Sequence, residues 1–236
     1  MDDTATGIAG LLARDYWPEI AQGTLDTLLM TGFSLLFTVL IGLPVGVTLF
    51  LTGWTQRSDH VGVARLQRIT YGVLSLVVNL LRSVPFLILL IVLIPATRML
   101  AGTSLGVRGS IPPLVIAAAP FFARLTENLL REVDRGVFEA CRAMGATTRQ
   151  LVLLALLPEA LPGLTAAILV TAISLVGYSA MSGVIGGGGL GDLAVRYGYQ
   201  RFNTPVMIVT VAILVVLVQL LQVCGDRLVA RLSHRQ

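Results

Sequence analysis

This chain has no lysine. All 17 of its basic residues are arginine, in a length of 236. A Walker-type phosphate loop needs Lys to reach the phosphates of a nucleotide, so an ordinary P-loop is excluded. Histidine is almost missing as well, with only His60 and His234, and there are two cysteines, Cys141 and Cys224. Neither cysteine has metal-ligand spacing with either histidine, and both read as free thiols. Asp and Glu number 13 and hardly enter the apolar stretches. No His-Glu-x-x-His and no Gly-x-Ser-x-Gly occurs. Ser83, Ser174, Ser179 and Ser182 lie near membrane depth, but an intramembrane Ser–His pair would lack its base. Catalysis has no visible site from which to be argued.

What is present is apolar. Hydrophobic residues make up 55% of the chain and charged residues 13%, with a mean hydropathy of +0.84. That describes an all-α polytopic membrane protein rather than a soluble core. Residues 1–22 carry Asp2, Asp3, Asp15 and Glu19 but no basic n-region and no small-residue cleavage site, so they do not read as a signal peptide. Leu11 to Ile20 suits an interfacial helix with Tyr16 and Trp17 at headgroup level.

Beyond this segment the chain reads as five spans. The first covers about 24–52, where Gly42, Pro44 and Gly46 either kink the helix or let a neighbour approach. A link from Gly53 to Thr70 carries Arg57, Arg65 and Arg68. The second span, about 71–95, is interrupted at Arg82-Ser-Val-Pro85. Arg82 either faces a partner, a cavity or the interface, or snorkels from one end of the span. Residues 96–110 read as an exposed loop with Gly102, Gly106, Gly109, Arg98 and Arg108. The third span, about 111–123, is short and proline-rich, and its helix continues through Arg124 and Glu127 into water. The fourth spans about 163–185, before a glycine-rich turn at Gly186–Gly189 and Gly191. The fifth covers about 206–223 and ends in Asp226, Arg227, Arg231, His234 and Arg235.

Arginine placement orients these spans. Arg57, Arg65, Arg68, Arg124, Arg131, Arg135, Arg142, Arg149, Arg227, Arg231 and Arg235 fall on one side. Arg14, Arg98, Arg108, Arg196 and Arg201 fall on the other. By the positive-inside rule the N-terminus is outside and the C-terminus is in the cytosol. The chain then divides into an outer segment 1–22, a five-helix membrane domain 23–228 and a cytosolic tail 229–236. Nucleic acid is not the partner this charge implies; membrane lipid is. Arg82 is the only midplane ionisable candidate and no inverted repeat is evident, which gives an ion-driven transporter little support.

One cytosolic stretch, 134–158, breaks the pattern. Helix formers run from Val137 to Met144 and stop at Gly145. Thr147 with Gln150 then has the spacing of a capping box. Two short helices meeting at a glycine make a rigid bent knob, which suits gripping a partner. At Gly145 a side chain would either obstruct a positive φ or hold a partner's surface away.

Glu139-Ala140-Cys141, Gly145 and Leu157-Pro158 resemble the EAA loop of ATP-binding-cassette importer permeases, E-A-A-x3-G-x9-I-x-L-P. Cys141 replaces the second Ala of the motif and Ala155 the Ile. Nearly the whole chain is similar to the permease subunits of methionine importers. Gly42-Leu-Pro-Val-Gly46, Arg82-Ser-Val-Pro-Phe86 and Ile94-Pro-Ala-Thr-Arg98 carry this, with Ala118–Arg124, Leu157–Gly163, Leu175–Met181, Gly186–Gly191 and Tyr197–Arg201.

The resemblance implies a five-span type I importer permease in the bacterial cytoplasmic membrane. It also implies a homodimer with two ATPase subunits, which use the ATP and Mg, and an extracytoplasmic methionine-binding lipoprotein. This chain would bind no cofactor. Glu139, Ala140, Arg142, Gly145, Leu157 and Pro158 would dock the ATPase. Met181 from each of two subunits would plug the path at the dimer axis, with Tyr178 and Ser179 lining it, unless Met181 is an ordinary packing residue. Gly186, Gly187, Gly188 and Gly189 would meet the binding protein, or form a flexible surface turn. Alternative readings are a permease for another small polar solute, an ATP-independent secondary transporter or channel, and a membrane scaffold.

Overall fold

The structure, a computed structural model, describes residues 16–54 and 61–233. The first half of the expected interfacial helix, Leu11 to Asp15, therefore lies outside the described residues, as do Arg57, His60 and His234, while Trp17 to Ile20 form the first turn of the first long helix. The described chain is helical, in the order α1 (Trp17–Trp54), α2 (Val61–Ser83), α3 (Phe86–Val92), α4 (Ile94–Ala101), α5 (Gly106–Glu132) and α6 (Arg135–Ala143). Then come α7 (Thr148–Gln150), a π-turn over Leu151–Leu156 and a last turn Leu157–Glu159. The chain ends with α8 (Leu161–Ser182), α9 (Gly189–Leu193) with a second π-turn Ala194–Tyr199, and α10 (Thr204–Ser233). Four helices, namely α1, α5, α8 and α10, are long and apolar enough to cross a bilayer, and the bent pair α2 with α3 makes a fifth when taken as one.

Several expected boundaries move, each for a local reason. Helix α5 runs unbroken for 27 residues through Pro112, Pro113 and Pro120, where a short span was expected. Each proline removes one ladder bond but does not end the helix when other groups hold the chain. At its start the Gly106 amide donates to the Gly186 carbonyl at 3.0 Å, and Ser110 Oγ donates to the Gly187 carbonyl at 3.3 Å. Most of the expected loop 96–110 is helical: residues 96–101 belong to α4, with Pro95 in its first turn and Gly102 closing it at φ +74°, and 106–110 open α5. Proline in a first turn and glycine past the end are helix signals. Arg65 and Arg68, expected in a link, are helical. Glu127, expected in water, is 1% exposed.

The chain packs as two units. One comprises residues up to Leu36, Pro85–Ile116 and Ala172–Gln222. Its core gathers Ile20, Leu190, Leu193 and Val206. The Leu190 amide donates to Thr27 Oγ1 at 2.9 Å, tying the start of α1 to α9.

The other comprises Phe37–Val84, Ala117–Thr171 and the chain from Val223 on. Its core gathers Phe50, Leu130, Phe138, Leu151, Leu156 and Leu164. Here α1 lies against α5 with no room for side chains. A Cβ on Gly42 would fall 2.9 Å from the Ala119 carbonyl oxygen, and one on Gly46 would fall 2.5 Å from both the Ala123 oxygen and Thr126 Cβ. This is the small-xxx-small contact by which membrane helices bring their backbones together.

Gly46→Leu should therefore destabilise the protein by roughly 1–3 kcal/mol or more, the usual cost of overpacking. Gly32→Ala, where no atom lies within 4 Å of the added Cβ, should leave the thermal midpoint in detergent unchanged or slightly raised. Equal midpoints for the two variants would refute the close approach.

Candidate functional site

The knob is built on its own core. Asp134 caps α6 by accepting from the Gly136 amide, a signal present in the sequence but unread there. Phe138, on the inner face of α6, sits 4.6 Å from the Trp54 ring and joins Leu130, Leu151 and Leu156 beneath the loop. Arg142 lies over the same ring, its guanidinium 5.2 Å from the ring centre. The helix ends in a Schellman motif: the Gly145 amide donates to the Arg142 carbonyl at 3.0 Å and the Ala146 amide to the Cys141 carbonyl at 3.0 Å. Gly145 takes φ +72° and has open space where a Cβ would point. Its glycine is thus required by the backbone.

The expected capping box is present. Gln150 N–H donates to Thr147 Oγ1, and the Thr147 amide donates to Gln150 Oε1 at 2.9 Å. Past the box the chain is less regular than a plain second helix: a π-turn, Leu151–Leu156, carries it into Leu157-Pro158. Of the expected docking residues, Glu139, Ala140, Arg142, Gly145 and Pro158 are exposed, while Leu157 is half-buried against the knob core. Met144, beside the bend, is 78% exposed.

On α8, Tyr178 is half-buried and stacks on Phe86 with ring centres 4.6 Å apart. Met181 is 41% exposed. Ser179 is buried and donates to the Val176 carbonyl at 2.8 Å, so its hydroxyl serves its own helix. Beside Gly177 and Ala180, a groove of about 300 Å³ runs between α8 and α10, with Val176, Leu214, Val218 and Gln219 among its walls.

The glycine turn after α8 divides in two. Gly187 and Gly189 are buried, and Gly186 is exposed with Gly188 half-buried. A Cβ on Gly187 would fall 2.6 Å from both Ser110 Oγ and Ser182 Oγ, and one on Gly189 would fall 2.7 Å from Thr27 Oγ1. Bare backbone there first serves packing inside the chain. Gly188 and Gly189 also edge a cleft of about 310 Å³ lined by Glu19, Asp26, Asp192 and Arg196, in which Arg196 pairs with Asp192 at 3.1 Å. Next to it Tyr197 is raised above the ordinary phenol pKa, first by its hydrogen bond to Glu19 and then by desolvation. Arg196 and Arg201 flank its ring at 4.9 and 4.7 Å. Arg82 stacks 5.8 Å from the Phe121 ring.

The chain matches the family described as binding-protein-dependent transport system inner membrane component over residues 61–236. It is 45% identical over 219 residues to a probable D-methionine transport system permease protein of Pasteurella multocida, covering 93% of this chain and 98% of that one. It is 48% identical over 155 residues to the methionine import system permease protein of Bacillus subtilis, covering 66% of this chain and 70% of that one. Among solved structures it is similar to a chain of the MetNI methionine ABC transporter in an inward-facing conformation, with a TM-score of 0.84 at 47% identity over 91% of this chain and 96% of that one. An amino acid ABC transporter chain shares the fold at 21% identity and a TM-score of 0.73, covering 98% of this chain and 99% of that one.

Because only φ constrains Gly145, the chain's own stability should fall from Gly to Asn to Ala to Val at this position. The Ala step should cost about 1–2 kcal/mol, the price of a left-handed residue. Thermal midpoints of the purified permease test the order, and equal values for Gly and Val would refute the left-handed bend.

Proposed function

The chain belongs to the binding-protein-dependent transport system inner membrane components, the permeases of ATP-binding-cassette importers, and from that premise we propose that it imports methionine with energy from a partner ATPase. The near-full-length likeness to methionine permeases carries this reading. The chain is a non-catalytic, multi-pass subunit of the bacterial cytoplasmic membrane, and ATP is hydrolysed by its partner. In the assembled importer two copies pair about a twofold axis, with two ATPases on the cytosolic face and a methionine-binding protein outside. The N-terminus lies outside and the C-terminus in the cytosol, as the arginine distribution favours.

The knob is the docking element. Its own core and its two caps make it stiff, and Met144 and the exposed edge of α6 present the surface that the ATPase grips. When the ATPases close on ATP, the two knobs approach and the spans tilt as bodies, which opens the path outward. Tyr178 and Met181 line or close that path. Met181 lies 20 residues along from the start of α8, about 30 Å at the rise of a helix. Gly186 and the rim of the acidic cleft by Gly188 take the binding protein, whereas Gly187 and Gly189 shape the turn from within.

Reconstituted in liposomes with the ATPase and the binding protein, the chain should accumulate labelled methionine only when ATP is supplied; uptake without ATP would sink the reading. Gly145→Arg should cut both ATPase co-purification and uptake by about tenfold or more, since a large charged side chain would stand on the docking surface. Met181→Ala should raise leak or resting hydrolysis, and no change in either would return Met181 to packing.

A further inference from the structure

Helix α2 is attached to its unit by polar side chains more than by apolar packing. Leu66, Ile69, Val73, Leu76 and Leu80 are each more than half exposed, and Val78 is its one fully buried apolar side chain among the described residues. Burying apolar groups against each other gains little when the alternative is lipid. What joins α2 to α5 is a polar ladder. Tyr71, Ser75 and Asn79 stand four apart on one face of α2, and Arg124, Glu127 and Arg131 stand three and four apart on α5, spacings that share a helix face.

Glu127 is the centre of this ladder. Arg124 Nη1 donates to its Oε2 at 2.5 Å and Arg131 Nη2 to its Oε1 at 2.6 Å. From that anchored position Arg124 Nη2 reaches across to Ser75 Oγ at 2.8 Å and Asn79 Oδ1 at 2.9 Å. The Tyr71 hydroxyl donates to Glu127 Oε1 at 3.2 Å and accepts from Arg131 Nη2 at 3.3 Å. Gly53 of α1 leaves the room: a Cβ there would fall 2.8 Å from Arg131 Nη2 and 3.0 Å from the Tyr71 ring. Arg82 over Phe121 continues the antiparallel register for another turn. The same end of α5 is built into the knob, since Leu130 shares the buried cluster of Phe138, Leu151 and Leu156.

We propose that Glu127 is a positioning residue of the transport stroke: by fixing Arg124 and Arg131 it locks α2 to α5, so that α2 travels with the knob when the motor closes. A shared carboxylate does this better than two separate hydrogen bonds, because Glu127 is 1% exposed and losing either arginine leaves its buried charge only half paired. Without the lock α2 is an apolar helix as comfortable in lipid as against α5, and motion of the knob need not reach it.

The inference rests on the importer reading, and the test separates the two. In the complete complex in liposomes, S75A/N79A removes both acceptors of Arg124 on α2 while Glu127 keeps both arginines. Spin labels at Leu76 and Glu132, in a background with Cys141 and Cys224 replaced by Ala, report whether α2 follows α5. With the ladder intact the label distance should be the same with and without ATP. In S75A/N79A it should differ between the two states, methionine uptake should fall about tenfold, and hydrolysis stimulated by the binding protein should stay within about twofold. E127Q should show the same uncoupling more strongly, and the double variant carries the decision if E127Q does not assemble. Unimpaired uptake in S75A/N79A, a constant label distance in it, or uptake and hydrolysis falling by one common factor would each overturn the proposal. Failure of the importer reading would look different, as absent ATP-dependent uptake in the unaltered complex.

Discussion

Helices α1 and α5 approach until backbone meets backbone at Gly42 and Gly46, and much of the second unit depends on that contact. In a bilayer, apolar side chains gain little by leaving lipid for one another, so helices are held by close van der Waals contact and by polar pairs that lipid cannot satisfy. The glycines supply the first. Glu127 with its two arginines supplies the second, one face further round α5. Between them they fix a helix whose C-terminal end carries Leu130 into the core of the knob.

The knob shows how a loop is made stiff. Asp134 satisfies an amide at its start, the Schellman bonds around Gly145 close its first helix, and Thr147 with Gln150 opens the next turn. Trp54 and Phe138 fill the space beneath. These devices leave few backbone groups to fray, while Met144 is left bare. A rigid body with an exposed apolar tip suits a docking element more than a flexible connector does.

Glycines at the other unit have mixed purposes. Gly183 and Gly191 meet backbone closely, with a Cβ 2.2 Å from the Asp192 amide or the Ala180 carbonyl, so α9 folds back against the end of α8. Gly187 and Gly189 are also consumed by packing, while Gly186 is left at the surface. A run of glycines in sequence is thus one motif with two physical reasons inside it, and only the exposed part is free to meet another protein.

By itself the sequence determined the class, the approximate spans and the bend at Gly145 with the capping box after it, and it offered a kink or a close approach at Gly42 and Gly46. These are local or compositional: hydropathy, a left-handed glycine, a hydrogen bond between residues three apart. It was legible also that this chain carries no ordinary phosphate loop, because it has no lysine. The tertiary structure decided what pairs distant residues. Glu127 looked like a solvated carboxylate because its neighbours in sequence are polar, and it is buried where Tyr71 arrives from another helix to bond it while Ser75 and Asn79 hold its partner Arg124. The span with three prolines looked short, and α5 runs through them from Gly106 with its start bonded to the turn at Gly186 and Gly187. Spacing along one helix reveals which residues share a face. Which face meets which neighbour is set by contacts between segments far apart in the chain.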